Sequence, residues 1–388
     1  MTRVWRLVRS LHLITSAVFG LLAGVVGLSG SALVFREEIE HAIYEPRVAP
    51  GATVLPLESL LATAATVEPA RRISMVVLPD HADRAVEFIL QKREARTLKE
   101  ADQMSVYMNP YTGAIEGSRR REASLIAKLR DLHFAFFSGT PGLTFNGCVA
   151  IALVFLSLTG LVLWVVASPK NQRFRLTMRG SWKSVIWNMH RQMGLLSLTL
   201  LILVSITGAY YAFRDTFLRS IHAVTGSLPP RGSPPISIPK DGSAARSIDA
   251  IAAAARAAIP DARLAVLRIP GQKSQAWAAT FHREGGSGES TDSGPTAFMD
   301  PFTLKTLRID DVEAMPFGAR VVKSMEPVHY GKFGGIPVKL LWVFLGLLPL
   351  MFSISGATMW WNRTGGLRRK PVEDGSQRDV PEARADYR

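Results

Sequence analysis

The sequence predicts an α-helical membrane protein. Four transmembrane helices form two tandem repeats about a pseudo-two-fold axis, and each repeat carries a small α+β domain outside the membrane. Three observations lead there: four long runs contain no Asp, Glu, Lys or Arg, the basic residues gather in short segments between those runs, and the same residue types recur at the same offsets in the two halves of the chain.

The uncharged runs are Leu11–Phe35, Leu132–Pro169, Gln192–Phe213 and Leu340–Asn362. A hydrocarbon core about 30 Å thick takes about 20 helical residues, which each run supplies. The first run follows Arg3, Arg6 and Arg9 but is longer than the apolar part of a signal peptide, so it reads as a retained anchor.

Orientation comes from the basic residues. Arg3, Arg6 and Arg9 precede the first span. Lys170, Arg173, Arg175, Arg179, Lys183 and Arg191 lie between the second and third with no acid among them. Arg363, Arg368, Arg369 and Lys370 follow the fourth before any acid. The positive-inside rule places these segments and both termini in the cytoplasm.

The predicted organisation is therefore an N-terminus and first span at 1–36, an external domain at 37–131 and a second span at 132–169. A basic cytoplasmic loop at 170–190 leads to the third span at 191–214. A second external domain at 215–328, a fourth span at 329–362 and a tail at 363–388 complete it. The excess of 46 Lys+Arg over 32 Asp+Glu is then a topology signal and not a nucleic-acid footprint. The single cysteine, Cys148, excludes a disulfide framework and cysteine-based zinc or iron–sulfur sites.

The repeat is read by aligning His12 with His190 and His133 with His329. From the first pair, Ser29-Gly30 matches Thr207-Gly208, and Phe35-Arg36-Glu37 matches Phe213-Arg214-Asp215. From the second, Phe134 matches Tyr330, Phe137 matches Phe333, Thr159-Gly160 matches Ser355-Gly356, and Trp164 matches Trp360. In the external segments V-Y-M-N-P-Y-T from Val106 matches A-F-M-D-P-F-T from Ala297, each a strand running into a turn. Helix-like stretches at Leu57–Thr66 and Ile248–Ala258 precede strand-like ones at Ile73–Leu78 and Arg263–Ile269.

Four of the eight histidines occupy matched places. His12 and His190 open spans one and three, and His133 and His329 precede spans two and four. Intramembrane polar residues are functional candidates, and two imidazoles facing each other across an axis suit the iron of a b-type haem. Zinc is the competing metal, but spans of about 35 Å separate the two pairs too widely for one ion. His41 and His222 are runner-up ligands at the outer face; His81 and His282 read as surface or pocket residues. Gly20, Gly24, Gly27, Gly160, Gly194 and Gly356 would admit a flat ring or close helix packing. Arg36 and Arg214 outside, with Arg9 and Arg191 inside, are propionate partners or interfacial anchors. Phe134, Phe136, Phe137, Tyr330 and Phe333 line a substrate site or form an aromatic belt. Met108 and Met299 are soft contacts or core residues. No nucleotide-binding or hydrolase motif is present.

The L-H at Leu11-His12, F-R-E-E at Phe35–Glu38, L-H at Leu132-His133, T-G at Thr159-Gly160 and W-N-x-H-R-x-x-G at Trp187–Gly194 resemble the PepSY-associated transmembrane family over about residues 3–365. The resemblance implies a four-span inner-membrane protein with PepSY-like domains in the periplasm. It also implies two b-type haems, His12 and His190 holding the cytoplasmic-side haem and His133 and His329 the periplasmic-side one. The implied activity is ferric-siderophore reduction, as in ferrioxamine reductases, with electrons from a quinol, a soluble reductant or a partner reductase. The competing reading is a membrane-anchored periplasmic module that binds a peptidase or another partner without redox activity.

Overall fold

The computed structural model describes residues 3–94, 102–167, 180–227, 235–237, 244–272, 275–283 and 294–365. Lys170, Arg173, Arg175 and Arg179 of the basic loop, and Arg368, Arg369 and Lys370 of the tail, lie outside the described residues.

Four helices are long and apolar enough to cross a membrane: α1 (Arg3–Leu33), α5 (Gly139–Ala167), α6 (Trp182–Ala212) and α10 (Gly335–Gly365). Short helices lie at their sheet-side ends. After α1 the chain breaks at Phe35 and restarts as α2 (Arg36–Tyr44); after α6 it breaks at the matched Phe213 and restarts as α7 (Arg214–Thr225). Ahead of α5 and α10 stand α4 (Leu125–Ala135) and α9 (Phe317–Tyr330). Both stop sharply in the left-handed region. Gly331 has φ 69°, as glycine allows, whereas Phe136 and Phe137 adopt φ 46° and 60°, which is uncommon for aromatic residues. Side chains thirteen residues beyond each histidine close these ends. Asn146 Nδ2 donates to the His133 carbonyl at 2.7 Å, and Trp342 Nε1 donates to the Val328 carbonyl at 2.9 Å.

The two extramembrane segments, each expected as a small α+β domain, share one sheet. Their strands are β1 (Arg71–Val77), β2 (Val86–Lys92), β3 (Met104–Met108), β4 (Ile115–Arg120), β5 (Arg263–Arg268), β6 (Trp277–His282), β7 (Thr296–Met299) and β8 (Thr306–Asp310). They make one eight-stranded antiparallel sheet in the order β4-β3-β2-β1-β5-β6-β7-β8. The two four-stranded meanders join where Val76 faces Leu267 across β1 and β5. Each first strand would otherwise expose an apolar edge; joined, the two edges satisfy each other.

One sheet face packs on α3 (Leu57–Val67) and α8 (Ile248–Ala258), burying Phe88, Val106, Leu267 and Phe281 against Leu60, Ile251 and Ala255. The two helices cap each other. The Asp249 carboxylate accepts from the Leu57 and Glu58 amides at 2.8 and 3.0 Å, and the Glu58 carboxylate accepts from the Ile248 amide at 2.9 Å. These satisfy first-turn amides that have no partner within a helix. Replacing Asp249 with alanine is expected to cost about 1 to 2 kcal/mol, read as a lower denaturation midpoint for the sheet with an unchanged spectrum of the membrane part.

The two matched turns are also built alike. Asn109 Oδ1 accepts from the amides of Tyr111 and Thr112, and Asp300 Oδ1 from those of Phe302 and Thr303. Met108 and Met299 are buried in the sheet core.

Candidate functional site

Each of the four matched histidines is held by a partner span through the hydroxyl–glycine step noted in the sequence. His12 of α1 places Nδ1 2.9 Å from Thr159 Oγ1 of α5, and His190 of α6 places Nδ1 2.7 Å from Ser355 Oγ of α10. His133 of α4 turns to α1, with Nδ1 2.8 Å from the Val26 carbonyl and 3.4 Å from Ser29 Oγ. His329 of α9 turns to α6, with Nδ1 3.0 Å from Thr207 Oγ1. The hydroxyls spend their own proton on carbonyls of their helix: Thr159 on Phe155, Ser355 on Phe352, Thr207 on Leu203 and Ser29 on Val25. A hydroxyl so engaged is left to accept from an imidazole N–H, and for His133 the Val26 carbonyl requires the proton on Nδ1. With Nδ1 protonated, each ring keeps its Nε2 lone pair for a metal.

The glycine of each step makes room for the ring. A β-carbon at Gly30 would stand 2.7 Å from His133 Cε1, and one at Gly208 3.3 Å from His329 Cε1. At Gly160 and Gly356 the distances to His12 and His190 Cε1 are 3.5 and 3.9 Å. Gly20, Gly24 and Gly27 do other work: they let α1 pack closely on Ser353, Leu350 and Gly346 of α10. Gly194 has open space beside it.

His133 and His329 meet at the sheet-side end, with ring centres 6.1 Å apart and planes inclined by 48°. His12 and His190 lie within electrostatic reach of each other at the far end, and Phe352 packs edge-on to His190 at 5.1 Å.

A cavity of about 760 Å³ runs from the sheet-side histidines to the inner face of the sheet. Met75, Val77, Ile89 and Ala265 roof it, while Gly27, Val34, Arg36 and Tyr330 line its helix side. A smaller cavity of about 90 Å³ lies between α1, α5 and α6. His133, His329, Phe134, Gly27 and Ser205 border both. Ser205 is buried and its hydroxyl has no hydrogen-bond partner, as a polar atom waiting on a bound group would be.

The other sequence candidates are placed as follows. Arg36 lines the cavity and lies over the Tyr330 ring at 4.5 Å. Arg214 does not line it; its Nε donates to Tyr210 Oη at 3.3 Å. Arg9 and Arg191 lie near the far ends of α1 and α6. Phe134 and Tyr330 line the cavity, but Phe137 is 64% exposed and Phe333 packs on Trp342 at 5.2 Å. His41 borders the cavity with Nδ1 2.5 Å from Glu45, a bond that raises its pKa above the ordinary histidine value. His222 is exposed on the last turn of α7. His282 borders the cavity, and His81 stands at the surface beside Asp80.

Two buried lysines went unread in the sequence. Lys332 Nζ pairs with Glu37 at 2.5 Å and Lys339 Nζ with Glu38 at 2.7 Å, tying the α1–α2 junction to the start of α10. The first half has Phe136 and Leu143 at the matched places, so only their apolar surroundings, not the repeat, could have flagged them.

Residues 9–363 match the family model described as the PepSY-associated TM region. The chain belongs to this family. A search of curated proteins finds no match. In this PepSY-associated protein the matched region takes in all four spans, the whole sheet and the four histidines.

Proposed function

We propose that this PepSY-associated protein is an inner-membrane electron-transfer protein that holds two b-type haems and reduces ferric siderophores on the periplasmic side. The observation that carries the reading is the fourfold arrangement of a histidine, a partner-span hydroxyl and a glycine, which leaves four Nε2 atoms available in two pairs. Two imidazoles bonded to one metal at about 2 Å, each ring centre about 1 Å behind its nitrogen, have centres about 6 Å apart. The His133–His329 separation of 6.1 Å agrees with that. His133 and His329 would hold the outer haem, and His12 and His190 the inner one.

Bound there, haem supplies one-electron exchange at iron. The chain's residues do the rest. The hydroxyls keep each imidazole in its ligating tautomer. The apolar spans keep water from the inner site. The cavity under the sheet, within the usual size of ligand sites, receives the ferric chelate beside the outer pair, and Arg36 and Tyr330 shape its entrance. Ferric siderophores bind Fe(III) through hard oxygen donors that suit Fe(II) less well, so one electron loosens the metal. The cation distribution supports cytoplasmic termini and a periplasmic sheet.

The test is a dithionite-reduced minus air-oxidised visible spectrum of the detergent-purified protein, with haem quantified per chain. The expected result is a low-spin b-type spectrum near two haems per chain, reoxidised on adding a ferric siderophore. A colourless protein after haem supplementation during expression ends the proposal.

A further inference from the structure

The two histidine pairs are not held equally. At the far end the Nδ1 protons of His12 and His190 each go to one acceptor, a hydroxyl. At the sheet end His133 also reaches a backbone carbonyl three residues before the hydroxyl, that of Val26, at 2.8 Å, while His329 turns to Thr207 Oγ1 at 3.0 Å. The matched carbonyls at the far end, Leu156 and Phe352, lie within reach of the Thr159 and Ser355 hydroxyls and take no imidazole. The glycine distances give the reason. The sheet-side rings press closer to the partner helix, at 2.7 and 3.3 Å from a β-carbon position, than the far-side rings, at 3.5 and 3.9 Å. The closest ring, that of His133, reaches past the hydroxyl to the backbone.

An acceptor on Nδ1–H makes the imidazole a more basic ligand, and a more basic ligand favours ferric over ferrous iron. A carbonyl joined to a hydroxyl does this more strongly than a hydroxyl alone. The sheet-side site also opens into the larger cavity, where water stabilises the extra charge of the ferric state.

Resting on the haem reading above, we infer that the backbone carbonyl of Val26, added to the hydroxyls, makes the sheet-side cofactor the stronger reductant of the two, while Thr159 and Ser355 alone set the basicity of the far-side ligands. The site next to the chelate then holds the lower potential, as suits a substrate that resists reduction. Electrons arriving from the far side are drawn forward by release of Fe(II).

The experiment is a potentiometric titration of the purified protein and of hydroxyl variants, each wave assigned with single-histidine variants that keep one haem. The wild type is expected to show two waves, the lower one missing in His133→Ala. Thr159→Val and Ser355→Ala remove the only Nδ1 acceptor and should raise the far-side potential. Ser29→Ala leaves the Val26 carbonyl in place and should move the sheet-side potential by less than half as much. Thr159→Ser restores an acceptor and should bring the far-side potential back. A shift in Ser29→Ala equal to that in Thr159→Val, or a lower wave that survives in His133→Ala, overturns the inference while leaving a two-haem protein intact. A wild type without haem overturns the functional proposal itself, and this inference with it.

Discussion

On the two-haem proposal, replacing His133 or His329 by alanine is expected to remove one haem of two and leave the other. The lost haem would be the sheet-side one, because those two imidazoles meet there at 6.1 Å. His12→Ala and His190→Ala should do the converse. The effect is large because low-spin bis-imidazole iron needs both nitrogens. Of the other imidazoles, His41 is engaged by Glu45, His222 is exposed on α7, and His282 borders the cavity from strand β6 of the sheet. Among the described residues no three His, Cys, Asp or Glu side chains gather as a metal site. The measurement is haem per chain with the low-spin signal resolved by potential. A His133→Ala protein that keeps both haems would overturn the ligand assignment. Loss of both haems together in every variant would show that the two sites fold as one unit.

The second large effect is expected from a single methyl group. A β-carbon at Gly30 would stand 2.7 Å from His133 Cε1, closer than nonbonded carbon atoms approach. The ring cannot retreat without giving up the Val26 carbonyl at 2.8 Å. Gly30→Ala should therefore cost most of the sheet-side haem. Gly356→Ala is the control: its β-carbon would lie 3.9 Å from His190 Cε1, an ordinary contact, and both haems should remain. The comparison separates ring placement from general helix tolerance, since both changes put alanine into a membrane-spanning helix. Retention of full sheet-side haem in Gly30→Ala would mean that the ring and α1 shift apart freely.

Two lysine–glutamate pairs break the likeness of the halves. Lys332–Glu37 and Lys339–Glu38 clamp the start of α2 to the start of α10, while the matched corner has Phe136, Leu143 and an Arg214–Tyr210 hydrogen bond instead. Removing either glutamate leaves a buried ammonium without its partner, which destabilises. The larger cavity opens beside the clamped corner, where Lys339, Glu38 and Trp342 line it.

The sequence by itself determined the four spans, because about 20 uncharged residues in a row have no comparable home in water. It also singled out the four histidines and the hydroxyl–glycine steps, because matched offsets in the two halves mark positions under the same constraint. What it did not reveal is that the two belong together. Ser29-Gly30 and His133 are 104 residues apart, and offsets within a repeat say nothing about which helix faces which. Only packing of α1 against α4 and α5, and of α6 against α9 and α10, brings each imidazole onto its hydroxyl. The single sheet was hidden for a similar reason. Short apolar runs mark β1 and β5 as strand-like, but an edge finds its partner through shape and unsatisfied backbone groups, which no local pattern records. Nothing in the sequence sets Lys332 and Lys339 apart from ordinary charges at the mouth of a span. Their burial is a property of the junction that α1, α2 and α10 form together.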